Sequence, residues 1–562
     1  MDRGRHRWSA TAACGAAALC AGASLLATSP EVRAVLGAGL PTGAPWPGTG
    51  VDRDGTLFFI DWLAAAPRRA ALGHEPLLYA PIGWDAGLAT GFAWADLIPA
   101  AFARGLGAPA AAVWGAHLIW TVAGSAAAVA WMAQRAGARP AGAAVLGALA
   151  ALHPLVAREL GEGRPTQAWL APAAVLFGLA LGGRSAGSAV GAGLALALAC
   201  LSYWFVGAAA GLAVGLGLLA GVGRLPRLPG VTRAAGIAGV GVAVAAVFAW
   251  PAIAPWLPGS GAPPDAAWSR PPWAHVDLGL LRLPVRRPGA VDGPGAALAL
   301  HADALPPEWL VLGGLGALAA RRRIAALAWV ALICGFTLAP WLTWPGGGAP
   351  TGAWLLDLVF PPLARNRWPD RLFPVPLLAA AWLAARAMAR HPRRLFALAA
   401  AALVARAATG GPLPAAPPPA PLDPVLAAGP GGIIDVPLSR AERTYPLVLA
   451  HGRPLLGGPG LARVRPPAHA AWCEANPLLA GLEALARGEA PAGDWSSGDA
   501  DALRRAGLGL IVLWTDEVRV PVHAVASWLG APPTLRAGPA AVWRLDAVLP
   551  PASAAGEAQA PR

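Results

Sequence analysis

Residues 110–157 read AAAVWGAHLIWTVAGSAAAVAWMAQRAGARPAGAAVLGALAALHPLVA, and their pattern is repeated along most of the chain. Two long apolar runs are joined by a short turn that carries Arg135 and Arg139 but no acid. A transmembrane helix needs about 20 mostly apolar residues, and cytoplasmic loops are enriched in Arg and Lys. The stretch therefore predicts two membrane-spanning helices with a cytoplasmic turn between them.

Eleven apolar stretches of this kind predict a polytopic membrane protein, and none of them contains an acid internally. The predicted spans cover residues 10–28, 110–133, 140–157, 167–183, 187–203, 204–222, 234–256, 307–320, 324–343, 372–389 and 395–409. An odd number of spans with a cytoplasmic N-terminus puts the C-terminal region in the periplasm of a bacterial inner membrane. Because Arg3, Arg5 and Arg7 precede the first apolar run, that run could instead be a cleaved signal peptide.

The distribution of charge supports this orientation. All 43 basic residues are Arg, and sixteen of them lie in the segments assigned to the cytoplasm, where Asp2 is the only acid. The other 27 Arg accompany 29 acids, so the net charge of +13 divides into +15 inside and −2 outside. This asymmetry follows the positive-inside rule, and it disfavours a nucleic-acid-binding protein, whose basic residues cluster on one face or tail. The cytoplasmic set is Arg3, Arg5, Arg7, Arg135, Arg139, Arg184, Arg224, Arg227, Arg233, Arg321, Arg322, Arg323, Arg386, Arg390, Arg393 and Arg394.

The predicted fold is an all-α polytopic membrane bundle of about 11 transmembrane helices, followed by a small periplasmic α/β domain. The membrane domain takes residues 1–409, with periplasmic loops 29–109, 257–306 and 344–371. Residues 410–430 are Pro-rich and predict a linker. Short apolar runs at 432–438, 507–514 and 540–545 predict buried strands of a domain at 431–548, with helices at 476–488 and 499–506. A disordered tail is predicted for 549–562.

Acids in the first periplasmic loop are the first candidate for catalysis. If the segment from Thr56 onward is helical, it places aromatic residues on one face. Two acids, Asp52 and Asp54, precede this segment, and Asp61 lies within it. A helix of this kind can lie on the membrane surface, where a carboxylate could act as general base toward an acceptor hydroxyl. The alternative is that Asp52 and Asp54 simply cap the helix.

Arginines in the loop 344–371 are the second candidate. Arg365, Arg367 and Arg371 lie within seven residues on the periplasmic side, against the general charge trend. Guanidinium groups bind phosphate in two-point fashion, so the three could hold the phosphate of a lipid-linked donor. The alternative is a solvated loop in which Arg367 or Arg371 pairs with Asp370.

A polar hairpin at residues 157–169 is the third candidate, because it carries Glu159 as a possible second acid, although such a hairpin also needs polar residues merely to face water. His117 and His153, near membrane borders, are predicted to be structural. No ionisable residue is recognised well inside the spans, which disfavours a transporter. The sequence has no zinc, nucleotide or dinucleotide motif, so no cofactor is identified, and the need for a divalent metal stays open.

Several short motifs together resemble the GT-C superfamily of polytopic membrane glycosyltransferases, in particular its family-39-like members, which use polyprenyl-phosphate sugars as donors. They are DGTLFFIDW at 54–62, YAPIGWD at 79–85, SYWF at 202–205, RNRWPDRLF at 365–373, IIDVPL at 433–438 and HGRPLLGG at 451–458. Arg53 stands where the pattern usually has Gly, and residues 159–164 replace a stretch that usually contains His.

The resemblance implies sugar transfer from a polyprenyl-phosphate donor to a periplasmic glycan, lipid or protein. Asp54 would then be the base, with Asp52 or Asp61 positioning the acceptor, and Asp85 would join Glu159 as a possible acceptor-binding or second acid. The expected partners are the lipid-linked sugar and membrane lipid. Two other function classes stay open: a non-catalytic scaffold or subunit of envelope-glycan assembly, and a lipid or glycan transporter.

Overall fold

A computed structural model of the chain describes residues 2–37, 44–49, 51–65, 95–223, 227–253, 276–277, 306–337, 341–344, 347–350, 352–359, 369–416, 428–438, 455–456, 472–491, 493–516 and 518–549. The chain divides into two compact units. The first comprises Met1–Thr49, Phe92–Ala249 and Pro264–Ala416. The second comprises Gly50–Gly91, Trp250–Pro263 and Pro417–Arg562.

The apolar runs fold as helices, because a helix satisfies its own backbone hydrogen bonds without water. The helices up to residue 409 are α1 Asp2–Thr28, α2 Pro30–Leu36, α3 Val51–Ala65, α4 Ile98–Gly105, α5 Ala110–Ala136, α6 Pro140–Ala151, α7 Pro154–Gly161, α8 Pro165–Ala168, α9 Ala171–Gly182, α10 Ala186–Ala220, α11 Arg227–Ile253, α12 Pro307–Leu318, α13 Arg323–Cys334, α14 Gly352–Val359, α15 Pro374–Met388 and α16 Pro392–Thr409. Of these, α3 belongs to the second unit.

The chain is a multi-pass membrane protein, as predicted. Within the described residues, five helical segments are long and apolar enough to cross a membrane: Ala10–Thr28, Ala110–Ala136, Pro165–Gly182, Ala186–Ala220 and Pro229–Val247. The pair α6 and α7, bent by 42°, makes a sixth if it is one broken span. Two apolar helical segments, Arg323–Thr337 and Pro374–Met388, are shorter. The count of about 11 spans stays a prediction.

Helix α10 is a hairpin rather than one straight rod. Its backbone leaves helical geometry at Tyr203, with φ −146° and ψ 97°. A Cβ built on Gly211 would lie 3.0 Å from the Leu196 side chain, and one built on Gly207 would overlap the backbone of Cys200. In a straight helix, which rises 1.5 Å per residue, residues 196 and 211 would lie roughly 22 Å apart. The two halves therefore run antiparallel about Tyr203, as the prediction of two separate spans requires.

The helices of the first unit define two ends. The turns that carry Arg135, Arg184 and Arg386 mark the predicted cytoplasmic end. The predicted periplasmic end comprises the opposite helix termini, which include His153 and Tyr203. These names follow from the charge pattern of the sequence.

Short strands join distant segments of the first unit. Strand β1, Trp46–Pro47, pairs antiparallel with β5, Ala415–Ala416. The Ser29 hydroxyl accepts a hydrogen bond from the Leu413 amide at 3.0 Å, and the buried Trp114 indole donates one to the Pro47 carbonyl at 2.8 Å. A separate three-stranded sheet has the order β2-β3-β4, formed by Val276–Asp277, Trp341–Trp344 and Gly347–Pro350.

The second unit contains the predicted α/β fold. Its five-stranded sheet has the order β7-β6-β8-β10-β9, with β6 parallel to β7 and β8, and β10 antiparallel to β8 and β9. The three longer strands confirm the predicted runs, and two of the three helices confirm the predicted helices. Strands β7 and β9 were not predicted, because two or three residues give no usable periodicity. The elements are β6 Gly432–Val436, β7 Leu455–Leu456, α17 Pro477–Arg487, α18 Ser497–Arg505, β8 Leu508–Trp514, α19 Val522–Trp528, β9 Leu535–Ala537 and β10 Ala540–Arg544.

Candidate functional site

A buried carboxylate lies just beyond the bend between α6 and α7. His153 is the N-cap of α7, and its Nδ1 accepts a hydrogen bond from the Leu155 amide at 3.1 Å. Six residues further along, the Glu159 side chain is fully buried. Its Oε1 accepts a hydrogen bond from Arg158 at 2.5 Å, and its Oε2 accepts one from Arg164 at 2.6 Å. The polar hairpin of the sequence is therefore folded inward at this point and does not simply face water.

Two residues from distant elements join this carboxylate. Tyr203 lies at the turn of the α10 hairpin, and Arg371 lies in the 3₁₀ turn that precedes α15. Arg371 donates a side-chain hydrogen bond to the Tyr203 hydroxyl, on which the charges of Glu159 and Arg164 also act. We call this group the outer polar cluster, and it consists of Arg158, Glu159, Glu162, Arg164, Tyr203 and Arg371.

The outer polar cluster combines three guanidinium groups with two carboxylates, which leaves one net positive charge. Both oxygens of Glu159 are engaged by arginines, so this residue is better suited to holding Arg158 and Arg164 in place than to accepting a proton. A guanidinium has five N–H donors, so Arg371 can hold Tyr203 and a phosphate oxygen together. The arrangement favours binding of an anion.

A second buried polar group lies in the first unit, and the sequence alone did not identify it. The Asp96 carboxyl and the His117 ring are both buried, with Oδ2 and Nε2 3.8 Å apart. Thr166 is close enough to act on Asp96, but no hydrogen bond of good geometry reaches either carboxyl oxygen or either ring nitrogen. Burial raises the pKa of Asp96 to about 7. His117, predicted to be structural, lies about two turns inside α5.

The three acids of the first loop lie on α3, in the second unit. This helix begins at Val51, five residues before the expected start, so Asp52 and Asp54 occupy its first turn. Asp54 accepts a hydrogen bond from Arg53 Nε at 3.0 Å. Burial raises the pKa of Asp54, and the charge of Arg53 opposes that shift. Asp52 is exposed and Asp61 is half-buried.

Three predicted site residues, Arg365, Arg367 and Asp85, lie outside the described residues. Among the residues that the structure does describe, no group of three or more His, Cys, Asp or Glu side chains is placed to hold a metal ion. Of the three arginines predicted to bind the donor phosphate, the structure therefore describes only Arg371. Of the two predicted second acids, it describes only Glu159.

The fold resembles that of solved proteins. The cryo-EM structure of the arabinofuranosyltransferase AftD from mycobacteria superimposes with a TM-score of 0.50 at 18% identity, over 94% of this chain and 40% of that one. The structure of an AftD mutant gives a TM-score of 0.51 at 18% identity, over 94% and 41%. This chain thus spans about 40% of the length of AftD. No protein-family model and no curated protein matches the sequence. The likeness confirms the predicted polytopic membrane fold, which is similar to that of AftD over the superimposed part.

Proposed function

We propose that this chain is an integral membrane glycosyltransferase that moves a sugar from a polyprenyl-phosphate donor to a periplasmic glycan, lipid or protein. The GT-C-like fold supports this proposal at the level of architecture. The observation that carries it is Arg371, which is half-buried and belongs to the outer polar cluster, where several helices of the first unit end. A net positive charge at that place suits a lipid phosphate.

The proposed reaction needs one base and one phosphate site. The acceptor hydroxyl oxygen attacks the anomeric carbon, the bond from that carbon to the phosphate oxygen breaks, and the polyprenyl phosphate leaves as an anion. Asp54 takes the hydroxyl proton, and its raised pKa brings it closer to the range in which a base is effective at neutral pH. The leaving phosphate needs no proton, so arginines suffice to stabilise it.

The experiment uses the full chain in lipid nanodiscs and measures covalent transfer from polyprenyl-linked sugars. Arabinofuranose is the first sugar to test, because the similar fold of AftD belongs to an arabinofuranosyltransferase. The Asp54→Asn variant should lower the transfer rate by about 10²–10⁴, the usual contribution of a general base. The Asp546→Asn variant, at an exposed site in the same unit, is the matched control.

The Arg371→Ala variant should weaken donor binding by about tenfold to a hundredfold, because a hydrogen bond to a charged group is lost. The Arg139→Ala variant changes the same residue type at an exposed position of the other end and should behave as wild type. No turnover of any donor by the wild-type chain would favour the scaffold. Full activity of Asp54→Asn would move the base to Asp61, because both oxygens of Glu159, the other sequence candidate, are engaged by arginines.

The Asp96–His117 pair keeps one alternative function open. Transporters place ionisable residues inside their spans, and His117 is a buried example within α5. On this alternative the chain would move a lipid or glycan across the membrane without making or breaking a glycosidic bond. Flux of a fluorescent lipid-linked sugar into the vesicle lumen without product formation would support it.

A further inference from the structure

A small cavity lies at the predicted cytoplasmic end of the first unit, far along the helices from the outer polar cluster. The cavity is about 30 Å³ in volume, which is space for roughly two or three water-sized groups. Its floor is apolar and includes Leu383. Two separate segments contribute arginines to its lining: Arg321 and Arg322 from the turn between α12 and α13, and Arg386 and Arg390 from the end of α15 and the residues after it. The end of α10 closes the remaining side.

Among the residues that the structure describes, no carboxylate lines this cavity, which we call the arginine pocket. The sequence gives the reason, because residues 163–264, 309–356 and 371–422 contain no Asp or Glu. All the lining residues come from these stretches. Four like charges in one place repel one another, and a bound anion relieves that repulsion. The outer polar cluster differs in this respect, because it supplies its own glutamates.

Two of the four guanidinium groups are held against the end of α10. Arg386 Nη1 donates hydrogen bonds to the carbonyls of Val222 and Gly223. Arg322 Nη1 occupies the space that a Cβ on Gly221 would need. Carbonyls at a helix C-terminus attract cations, and this accounts for the positions of Arg322 and Arg386. It does not account for Arg321 and Arg390, which are exposed and complete the lining.

We propose that Arg321, Arg322, Arg386 and Arg390 form a binding site for a phosphate group, and that an anionic phospholipid of the cytoplasmic leaflet supplies it. Guanidinium groups match phosphate in two-point geometry. Basic pockets between helices on the cytoplasmic side are suited to anionic lipid head groups. The volume, about 30 Å³, suits a group as small as a phosphate. The site is independent of the proposed sugar transfer.

The test is lipid binding to the delipidated full chain, measured by native mass spectrometry with phosphatidylglycerol and with phosphatidylcholine. The wild-type chain should retain phosphatidylglycerol in preference. The double variant Arg321→Gln with Arg390→Gln should bind phosphatidylglycerol about thirtyfold more weakly, because each arginine near the membrane surface contributes separately. Both residues are exposed, so the variant should fold, and its melting temperature without lipid should match that of wild type.

The matched control is Arg393→Gln with Arg394→Gln, which removes two arginines at the same predicted end but outside the pocket. This control should keep the wild-type affinity. Equal loss in both double variants, or equal binding of phosphatidylcholine, would show a general surface-charge effect and overturn the proposal. Inorganic phosphate that binds as tightly as the lipid would make free phosphate the occupant, and the lipid part of the proposal would fail. If the test variant melts below wild type, Arg321→Gln alone must still lower phosphatidylglycerol binding.

Discussion

The two ends of the first unit use arginine in opposite ways. At the predicted periplasmic end, Arg158 and Arg164 bind the buried Glu159, and only one net positive charge is left in the outer polar cluster. At the predicted cytoplasmic end, the arginine pocket has four guanidinium groups and no carboxylate in its lining. A buried arginine needs a carboxylate beside it, whereas the arginines of an open pocket can also be neutralised by water, lipid or an anion. Counting arginines along the sequence identifies the arginine-rich turns of the predicted cytoplasmic end. It does not identify arginines that pair with a buried glutamate.

The largest expected effect is all-or-none and concerns which end faces which compartment. A reporter fused after Arg323 should be active only as a cytoplasmic reporter, and one fused after residue 550 only as a periplasmic one, because the charge asymmetry orients the helices. Paired alkaline phosphatase and green fluorescent protein fusions measure this. The opposite result at either position would show that the predicted orientation is wrong. The names given to the two ends would then no longer hold.

The Glu159→Gln variant tests the outer polar cluster at the predicted periplasmic end. This change leaves two guanidinium groups beside a neutral amide in a buried place, so we expect a loss of about 3–5 kcal/mol in the free energy of unfolding. Denaturation of the purified full chain in detergent measures the loss. A variant as stable as wild type would mean that water already solvates the cluster, and that its arginines differ little from those of the other end.

The Asp96–His117 pair predicts a dependence of stability on pH. Burial raises the pKa of Asp96 from 3.8 to about 7. Between these values the folded chain holds a proton that the unfolded chain has released, so stability falls as pH rises and levels off above pH 7. The slope is at most about 1.4 kcal/mol per pH unit. Between pH 5 and pH 7 the melting temperature of wild type should therefore fall relative to that of Asp96→Asn, and a constant difference between the two would refute the assignment.

The smallest effect is expected for the ion pair between Glu308 and Arg406, which lies at the predicted periplasmic end but is partly exposed. Water screens such a pair, so Glu308→Gln should change stability by about 0–1 kcal/mol. The same denaturation assay used for Glu159→Gln measures it. A loss as large as that of Glu159→Gln would show that exposure does not separate the two classes of pair.

Local patterns in the sequence were enough for the helices and the longer strands. The runs at 110–133 and 140–157 form helices because hydropathy and turn residues decide local structure over a few neighbouring residues. Local hydropathy likewise decided strands β8 and β10. The candidate site was predicted only in part. Arg371 and Glu159 were named, but the first was expected to act with neighbouring arginines and the second to lie in a water-facing hairpin.

The sequence by itself determined a multi-pass chain, its expected orientation, and the α/β character of its C-terminal part. These follow from hydropathy, charge counts and short-range periodicity. Only the tertiary structure decided that Arg371 meets Tyr203 and that Asp96 meets His117, because the partners are separated by long stretches of chain. It also decided that the turns around Arg321 and Arg390 share a single pocket. Long-range packing of helices sets such neighbours, and no local pattern encodes them.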